Sequence, residues 1–384
     1  MTLRIAVVTE TFYPFRGGSA KRYLEVFSRL VKKGFDVDVY TVRLSKDWPT
    51  NDEYNGIKIL RTTVILPNYI TSDGFRDGIS ILKYLLWLKN SFDSKEYDVI
   101  EANHCPIFPV FLSRFKKEIR QPLISTIHEV WHKEWYNYVP HWIYTPFGMA
   151  LEKLMMFMPD HFISVSGFTT KRLVQLMGVD PRRITTIYNG VDLKLYYRVK
   201  ARKYRDRIIY GGRLNPHKRL DLLIKSFLYL YKRYDLTLEI FGDGPMRDIV
   251  YRHIRRNGIS KKIYVHGGVD DHKFAYLMKR GYIYVLPSIR EGQSITTMEA
   301  MAAGTPQVTV NARNNAAYEL VSEAKSGLVA NVDVIDIARK IEVLMNDRDL
   351  WVNLRLNGIS FVSQYDWDSI AELHRKVYES FSRR

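Results

Sequence analysis

Two carboxylates, Glu291 and Glu299, stand eight residues apart in the stretch Glu291-Gly292-Gln293-Ser294-Ile295-Thr296-Thr297-Met298-Glu299. The first follows an apolar run, Tyr282 to Leu286, and a Pro287-Ser288 turn. The second falls in a helix-like segment, Thr296 to Ala303, that stops at Gly304. Strand, polar loop and helix N-terminus in that order present free backbone N–H groups and a positive dipole end to an anionic or polyhydroxylated ligand. One carboxylate can then hold sugar hydroxyls while the other, two helical turns on, holds a ribose. Acidic pairs near helix starts also serve as caps and dipole partners, so the rest of the chain has to decide.

Four other groupings could carry chemistry. Pro14-Phe15-Arg16-Gly17-Gly18-Ser19-Ala20 lies between a first strand and a first helix. Adjacent glycines admit close approach of a ligand to the backbone, and a helix start attracts phosphate; an ordinary strand-to-helix turn looks the same. The spacing is not the dinucleotide fingerprint, so a dehydrogenase is not supported. Arg213 and Lys218, on a loop after the first strand of the second half, can neutralise a diphosphate or form a solvated basic loop. His128-Glu129-Val130-Trp131-His132 matches the zinc-peptidase pattern HExxH, with Glu152 as a third ligand. Against that reading, His128 directly follows an apolar strand, Leu123 to Ile127, rather than sitting inside a helix. The Asp-x-Asp pairs Asp36/Asp38 and Asp366/Asp368 resemble divalent-metal sites. The first flanks a strand and the second a helix start, with Asp368 as a cap, so both read as structural.

These loops need elements to hold them. Leu3 to Thr9, Val37 to Val42, Ile57 to Thr63, Val99 to Glu101, Leu123 to Ile127 and Phe162 to Val165 read as strands. Helical stretches, Ala20 to Lys33, Ile79 to Leu88 and Thr169 to Met177, fall between them. Arg207 to Tyr210, Thr237 to Phe241, Ile263 to His266, Ile283 to Leu286 and Gln307 to Val310 repeat the scheme, with a helix from Leu220 to Tyr231. This alternation predicts an α/β fold with two parallel-sheet domains, 1–195 and 196–364, and a cleft at the strand ends as the expected ligand site. The polar stretch Tyr196 to Asp206 reads as the linker. Asp368 to Phe381 reads as an amphipathic helix, and 365–384 is expected to cross back to the first domain.

The bulk numbers agree with a globular protein: 384 residues, 46% hydrophobic and 26% charged. No apolar run is long enough to span a bilayer, and the N-terminus reads as a strand rather than a signal peptide. A single cysteine, Cys105, excludes an internal disulfide framework and fits a reducing, cytoplasmic setting. The net charge of +17 suggests an anionic partner or serves general solubility. Trp131, Trp135, Tyr136, Tyr138, Trp142, Tyr144 and Phe147, interleaved with His132, Lys133 and His141, favour a membrane interface, a sugar-stacking surface or a core with an aromatic rim. The helix from Ile79 to Lys89 adds Leu82, Leu85, Leu86 and Trp87.

Taken in order, Pro14-x-x-Gly17-Gly18, the strand-end His128, Val165-Ser166, Tyr188-Asn189-Gly190-Val191-Asp192, Gly212-Arg213-Leu214 with Lys218-Arg219-Leu220, Gly242-Asp243-Gly244-Pro245, and Pro287-Ser288 through Glu291 to Glu299-Ala300-Met301-Ala302-Ala303-Gly304-Thr305-Pro306 resemble the family 4 retaining glycosyltransferases of the GT-B fold, glycosyltransferase group 1. The resemblance implies two Rossmann-like domains facing across a cleft. It implies transfer of a hexose-type sugar from a nucleoside-diphosphate sugar, UDP- or GDP-linked, to a glycan or lipid-linked acceptor, with no metal or other cofactor. Arg213 and Lys218 would hold the diphosphate, with Gly17 and Gly18 approaching from the other domain. Glu291 would contact the sugar, the amides around Gly292, Gln293, Ser294 and Ile295 the sugar and phosphate, and Glu299 the ribose. His128 would lie beside the reacting carbon. Gln293 and Ser294 depart from the family's usual aromatic or aliphatic residue and its small successor, and Gln307 replaces an aliphatic one. The first departure bears on which sugar is taken. A nucleotide-sugar epimerase shares the architecture and stays as the alternative, ahead of a zinc peptidase. A nucleic-acid binder explains the charge but not the ordered loops. An anionic membrane surface, at its cytoplasmic face, is the further expected partner.

Overall fold

The computed structural model describes residues 2–71, 76–105, 107–138 and 145–382. The chain forms two compact units. One comprises the residues up to Asn189 together with those from Trp367 on, and the other comprises Gly190–Asp366.

Eight strands make one sheet in the first unit: β1 (Arg4–Val8), β2 (Asp36–Thr41), β3 (Asn51–Tyr54), β4 (Ile57–Arg61), β5 (Val99–Asn103), β6 (Leu123–Ile127), β7 (His161–Ser164) and β8 (Ile184–Thr186). Their order is β3-β4-β2-β1-β5-β6-β7-β8, parallel throughout except for the β3–β4 hairpin. Asn55 and Gly56, at φ 53° and 78°, make that hairpin's turn, the left-handed pair that matches strand twist. β3 escapes an apolar-pattern reading because Asn-Asp-Glu-Tyr is an exposed polar edge. The central strands are apolar on both faces because helices cover both. Helix Gly18–Val31 buries Tyr23, Val26, Phe27 and Leu30, each contributing about 1.5–3 kcal/mol.

The C-terminal helix, Trp367–Ser382, packs on helix Gly18–Val31. Arg29 and Lys33 reach Asp368 and Glu372 at 2.6 and 2.7 Å on its exposed side, where such pairs contribute little. Asp368 therefore lies inside the first turn as an ion-pair partner, not as the expected cap. Beneath it, the fully buried Arg22 guanidinium donates to Asn189 Oδ1 (2.9 Å) and to the Ile187 carbonyl (2.8 Å), and lies 2.9 Å from His374 Nε2.

The second unit has a parallel six-stranded sheet. Its strands are β9 (Arg207–Gly211), β10 (Thr237–Phe241), β11 (Ile263–Gly267), β12 (Ile283–Leu286), β14 (Gln307–Val310) and β16 (Gly327–Ala330), in the order β11-β10-β9-β12-β14-β16. A separate short pair, β13 (Arg290–Glu291) with β15 (Asn314–Asn315), stands beyond the end of β12. Gln307 is accommodated because its amide donates to the Thr305 carbonyl (2.7 Å) and accepts from Ser326 Oγ (2.6 Å), so a polar residue in a buried strand keeps its hydrogen bonds.

The division between units falls at Asn189/Gly190 and Asp366/Trp367 rather than at 195/196 and 364/365. The stretch Tyr196 to Asp206 is not a free linker. Leu193–Arg198 is helical with Tyr196 buried. The Lys203 ammonium donates to the Gly281 carbonyl (2.9 Å) and to Thr305 Oγ1 (2.7 Å). Burial, then the charges of Arg355 and Lys279, push its pKa down to about 7. A polar composition concealed buried side chains that find partners only in the folded unit.

Candidate active site

In the second unit the site is built where loops leave the carboxyl ends of β9, β10 and β12. Two loops cross at close range there. Gly242 N donates to the Gly267 carbonyl at 2.7 Å, and Leu214 N to the Asp243 carbonyl at 2.9 Å. A Cβ on Gly242 would stand 1.9 Å from the Gly212 carbonyl oxygen, and Gly242 holds φ +135°. Only glycine fits that crossing. The Tyr210 hydroxyl donates to the Arg213 carbonyl at 2.8 Å and so fixes the turn that carries Arg213.

Lys218 ends a 3-10 turn, Pro216–Lys218, and its ammonium lies 2.5 Å from Glu291 Oε1. The two side chains are only 13% and 9% exposed. The turn is stapled to the loop after β12, because the His217 carbonyl accepts from Ile289 N (2.9 Å) and Ser288 Oγ (3.3 Å). Burial first, then the charges of Lys218, Arg290 and Arg213, hold the His217 imidazole far below its usual range. Three cations therefore gather around one neutral ring. His217 and Arg290 were not singled out in the sequence. The only signal was their adjacency to Lys218 and Glu291, because the approach itself spans more than seventy residues of chain.

Ser294 sits at φ 80°, a left-handed conformation for a non-glycine residue, and caps helix Ile295–Ala302 by accepting from Thr297 N and Thr297 Oγ1 at 3.4 and 2.9 Å. Strain of this kind concentrates at ligand-binding loops. The Gln293 amide is buried and donates to Met298 Sδ at 2.8 Å. Glu299 is buried on the same helix, and after burial itself its charge is the largest influence raising the Tyr196 hydroxyl pKa. Gly292 and Ile295 flank Gln293 and Ser294 as expected from their order.

In the first unit, Gly17 begins helix Gly18–Val31 with no side-chain cap. The Phe15 ring lies 2.8 Å from where a Gly17 Cβ would stand, so a side chain there would have to displace it. His128 follows β6, with its backbone N–H 3.3 Å from His104 Nδ1 and its ring edge-on to Tyr23 at 6.2 Å between centroids. Burial, then the charges of His104 and Arg22, hold His128 well below the usual imidazole range, so it is neutral. Its Nε2 is buried without a protein partner among the described residues.

The HExxH pattern does not assemble a zinc site. His128 is at a strand end, while His132, at φ 48°, opens a separate 3-10 turn. Glu152, the third candidate, accepts from Trp131 N and His132 N at 2.7 Å each and from Trp135 Nε1 at 2.9 Å. Among the described residues no three His, Cys, Asp or Glu side chains are placed so that they could hold a metal ion. Asp38 accepts from the Tyr97 hydroxyl at 2.7 Å and Asp366 pairs through its backbone with Val191, which gives both structural work. Of the aromatic segment, Trp142, Tyr144 and His141 lie outside the described residues.

Two largely parallel-sheet units with these loops have the architecture of GT-B glycosyltransferases. Residues 16–195 match the family described as Glycosyltransferase Family 4, and residues 198–361 that described as Glycosyl transferases group 1. The chain belongs to this GT-B family. An uncharacterised glycosyltransferase of Methanocaldococcus jannaschii is 25% identical over 408 residues, covering 98% of both chains. The fold is similar to sucrose-phosphate synthase from Thermosynechococcus elongatus (TM-score 0.81, 17% identity, 98% of each chain). It is also similar to Anabaena HepE in complex with UDP-glucose (TM-score 0.74, 16% identity, 98% of this chain and 100% of that one).

Proposed function

We propose that the chain moves a hexose-type sugar from a UDP- or GDP-sugar to a glycan or lipid-linked acceptor, with retention at the anomeric carbon, without a metal, at the cytoplasmic face of a membrane. The observation that carries this reading is the nearly buried Lys218–Glu291 pair at 2.5 Å, set among Arg213, Arg290 and a neutral His217. Three cations against one carboxylate leave a net positive locus suited to a diphosphate, while the carboxylate beside it suits sugar hydroxyls.

Arg213 and Lys218 stabilise the charge that grows on the leaving diphosphate. Glu291 orients the sugar, Glu299 the ribose, and the amides from Gly292 to Ile295 meet sugar and phosphate. Gly17 and Gly18 let the backbone approach the diphosphate, and neutral His128 offers a hydrogen bond beside the reacting sugar. The acceptor oxygen bonds to the anomeric carbon on the face from which the phosphate departs, and the departing phosphate oxygen takes the acceptor proton. Because HepE is seen with UDP-glucose, that donor comes first in a screen.

The test is thermal shift with nucleotide sugars, since a ligand at about a hundred times its Kd stabilises by about 2.7 kcal/mol. Transfer assays on Arg213→Ala and Lys218→Ala follow. Unchanged rates would sink the phosphate assignment. Nucleotide release that requires no acceptor would instead favour epimerisation, and NMR of the product reads the anomeric outcome.

A further inference from the structure

Helix Gly78–Ser91 carries apolar residues on two faces. Ser80, Tyr84 and Leu88 face the core at i, i+4 and i+8. Ile79, Leu82 and Leu86 form a second stripe that is 67%, 57% and 53% exposed. A surface helix normally keeps one apolar stripe, and contiguous exposed apolar patches mark interaction sites. Helix Phe108–Lys116 lies alongside. The Lys116 ammonium crosses between the two C-terminal ends to donate to the Lys89 carbonyl at 2.6 Å. Just there, Phe115 is 79% and Ile119 97% exposed.

The charges around this patch are more often positive than negative. Helix Gly78–Ser91 holds Lys83 and Lys89 and no acidic residue after its Asp77 cap, with Asp93 and Glu96 beyond its end. Arg114, Lys116, Lys117 and Arg120 follow, with Glu118 among them, and Asp160 pairs with Arg114 and Lys117 at 3.1 and 3.4 Å, which leaves Lys83, Lys89, Lys116 and Arg120 as the cations of the face. Cationic side chains interspersed with large apolar ones match an anionic lipid headgroup layer over an acyl boundary. A second copy of this chain would bring the same lysines face to face. A nucleic-acid backbone would leave Ile79, Leu82 and Leu86 without an apolar partner. No helix among the described residues is long and apolar enough to cross a membrane, so the contact is interfacial.

We propose that the face formed by helices Gly78–Ser91 and Phe108–Lys116 docks the first unit on an anionic phospholipid bilayer. This inference rests on the membrane part of the proposed function and assigns that surface to these two helices.

Flotation with vesicles of phosphatidylcholine containing about a third phosphatidylglycerol tests it. The full chain is expected to float at low salt and to be released as salt shortens the screening length. Leu82→Glu/Leu86→Glu, at exposed positions that the fold does not use, should lower partitioning about tenfold or more. Lys83→Glu/Lys89→Glu should lower it by a similar factor, whereas Lys225→Glu/Lys232→Glu, an equal charge change on an exposed helix face of the second unit, should lower it less than about threefold. No flotation of the parent chain overturns the proposal. So do equal losses for the two lysine pairs, or a Leu82→Glu/Leu86→Glu variant that floats like the parent. A parent dimer by sedimentation that this variant dissociates would assign the face to self-association and also overturn it. The assay needs no nucleotide sugar, so its failure leaves the donor reading standing, and a failed donor screen leaves the vesicle result intact.

Discussion

Replacing Lys218 by Met separates what the Lys218–Glu291 pair does for the fold from what it does for the reaction. Removing one partner of a buried pair leaves an uncompensated charge and costs about 3–5 kcal/mol. About a tenth of each side chain meets solvent here, 13% and 9%, which puts the loss at the lower end, about 3 kcal/mol. For a domain the size of the second unit that is a fall of roughly 6–12 °C in its Tm. Lys218→Met/Glu291→Leu removes both charges and fills the space with apolar atoms, so most of the stability should return, as it does when buried pairs are replaced together. Sugar transfer should not return. A missing cation at the developing diphosphate charge costs roughly 100- to 1,000-fold in rate, and the sugar contact is lost as well. The assay is calorimetry of Lys218→Met, Glu291→Leu and the double variant beside nucleotide-sugar turnover. A double variant as active as the parent would show that the pair only holds the loops together. Strictly additive stability losses would show that the two charges do not see each other.

Ser294→Gly relieves a left-handed φ of 80° and forgoes only part of a cap; it should raise stability by about 1 kcal/mol, while Ser294→Ala keeps the strain, loses the cap and should lower it by about 1. Equal Tm changes for the two would contradict the strain. Gly242→Ala places a Cβ 1.9 Å from the Gly212 carbonyl, and should cost about 3 kcal/mol or more and abolish stabilisation by nucleoside diphosphates; a variant that melts and binds like the parent would show the crossing to be loose. Glu101 is buried beneath Thr126, Tyr23 and Tyr378, and burial raises its carboxyl from 4.5 to about 7. The folded state then keeps a proton that the unfolded chain has released, so stability falls as pH rises from 4.5 to about 7, by about 3 kcal/mol in total. His104, lowered by burial to about 4, works the other way, losing stability as pH falls from 6.5. Comparing Tm against pH for the parent and Glu101→Gln isolates the first effect: the variant should gain on the parent as pH rises, and parallel curves would refute the shift.

Much of the scaffold was legible because it rests on local rules. Buried parallel strands are apolar runs, Gly178 in a left-handed conformation ends a helix that Ser166 caps, and glycines mark loops where the backbone leaves the allowed regions. The polar hairpin strand β3 was readable only from Asn55-Gly56, and the helix over Leu193–Arg198 was hidden by its shortness, at 6 residues, and by the polar stretch that follows it. The order of loops, Gly17-Gly18, His128, Arg213, Lys218, Glu291 and Glu299, was also in the sequence, because each follows a strand or opens a helix.

Glu291 and Glu299 show where that legibility stops. Their spacing across a strand, a loop and a helix start is a local property, set by residue types a few positions apart. That Glu291 meets Lys218 is decided by β9 and β12 lying side by side, which brings together residues separated by 73 positions. The sequence likewise offered HExxH as a plausible zinc site, and only the tertiary structure spent Glu152 on backbone N–H groups. Arg22 was simply one basic residue on a helix until the fold buried it against Asn189 and His374, 167 and 352 positions away. Local chemistry sets which conformations a segment can adopt; which charges end up sharing a low-dielectric space depends on contacts that only long-range packing creates.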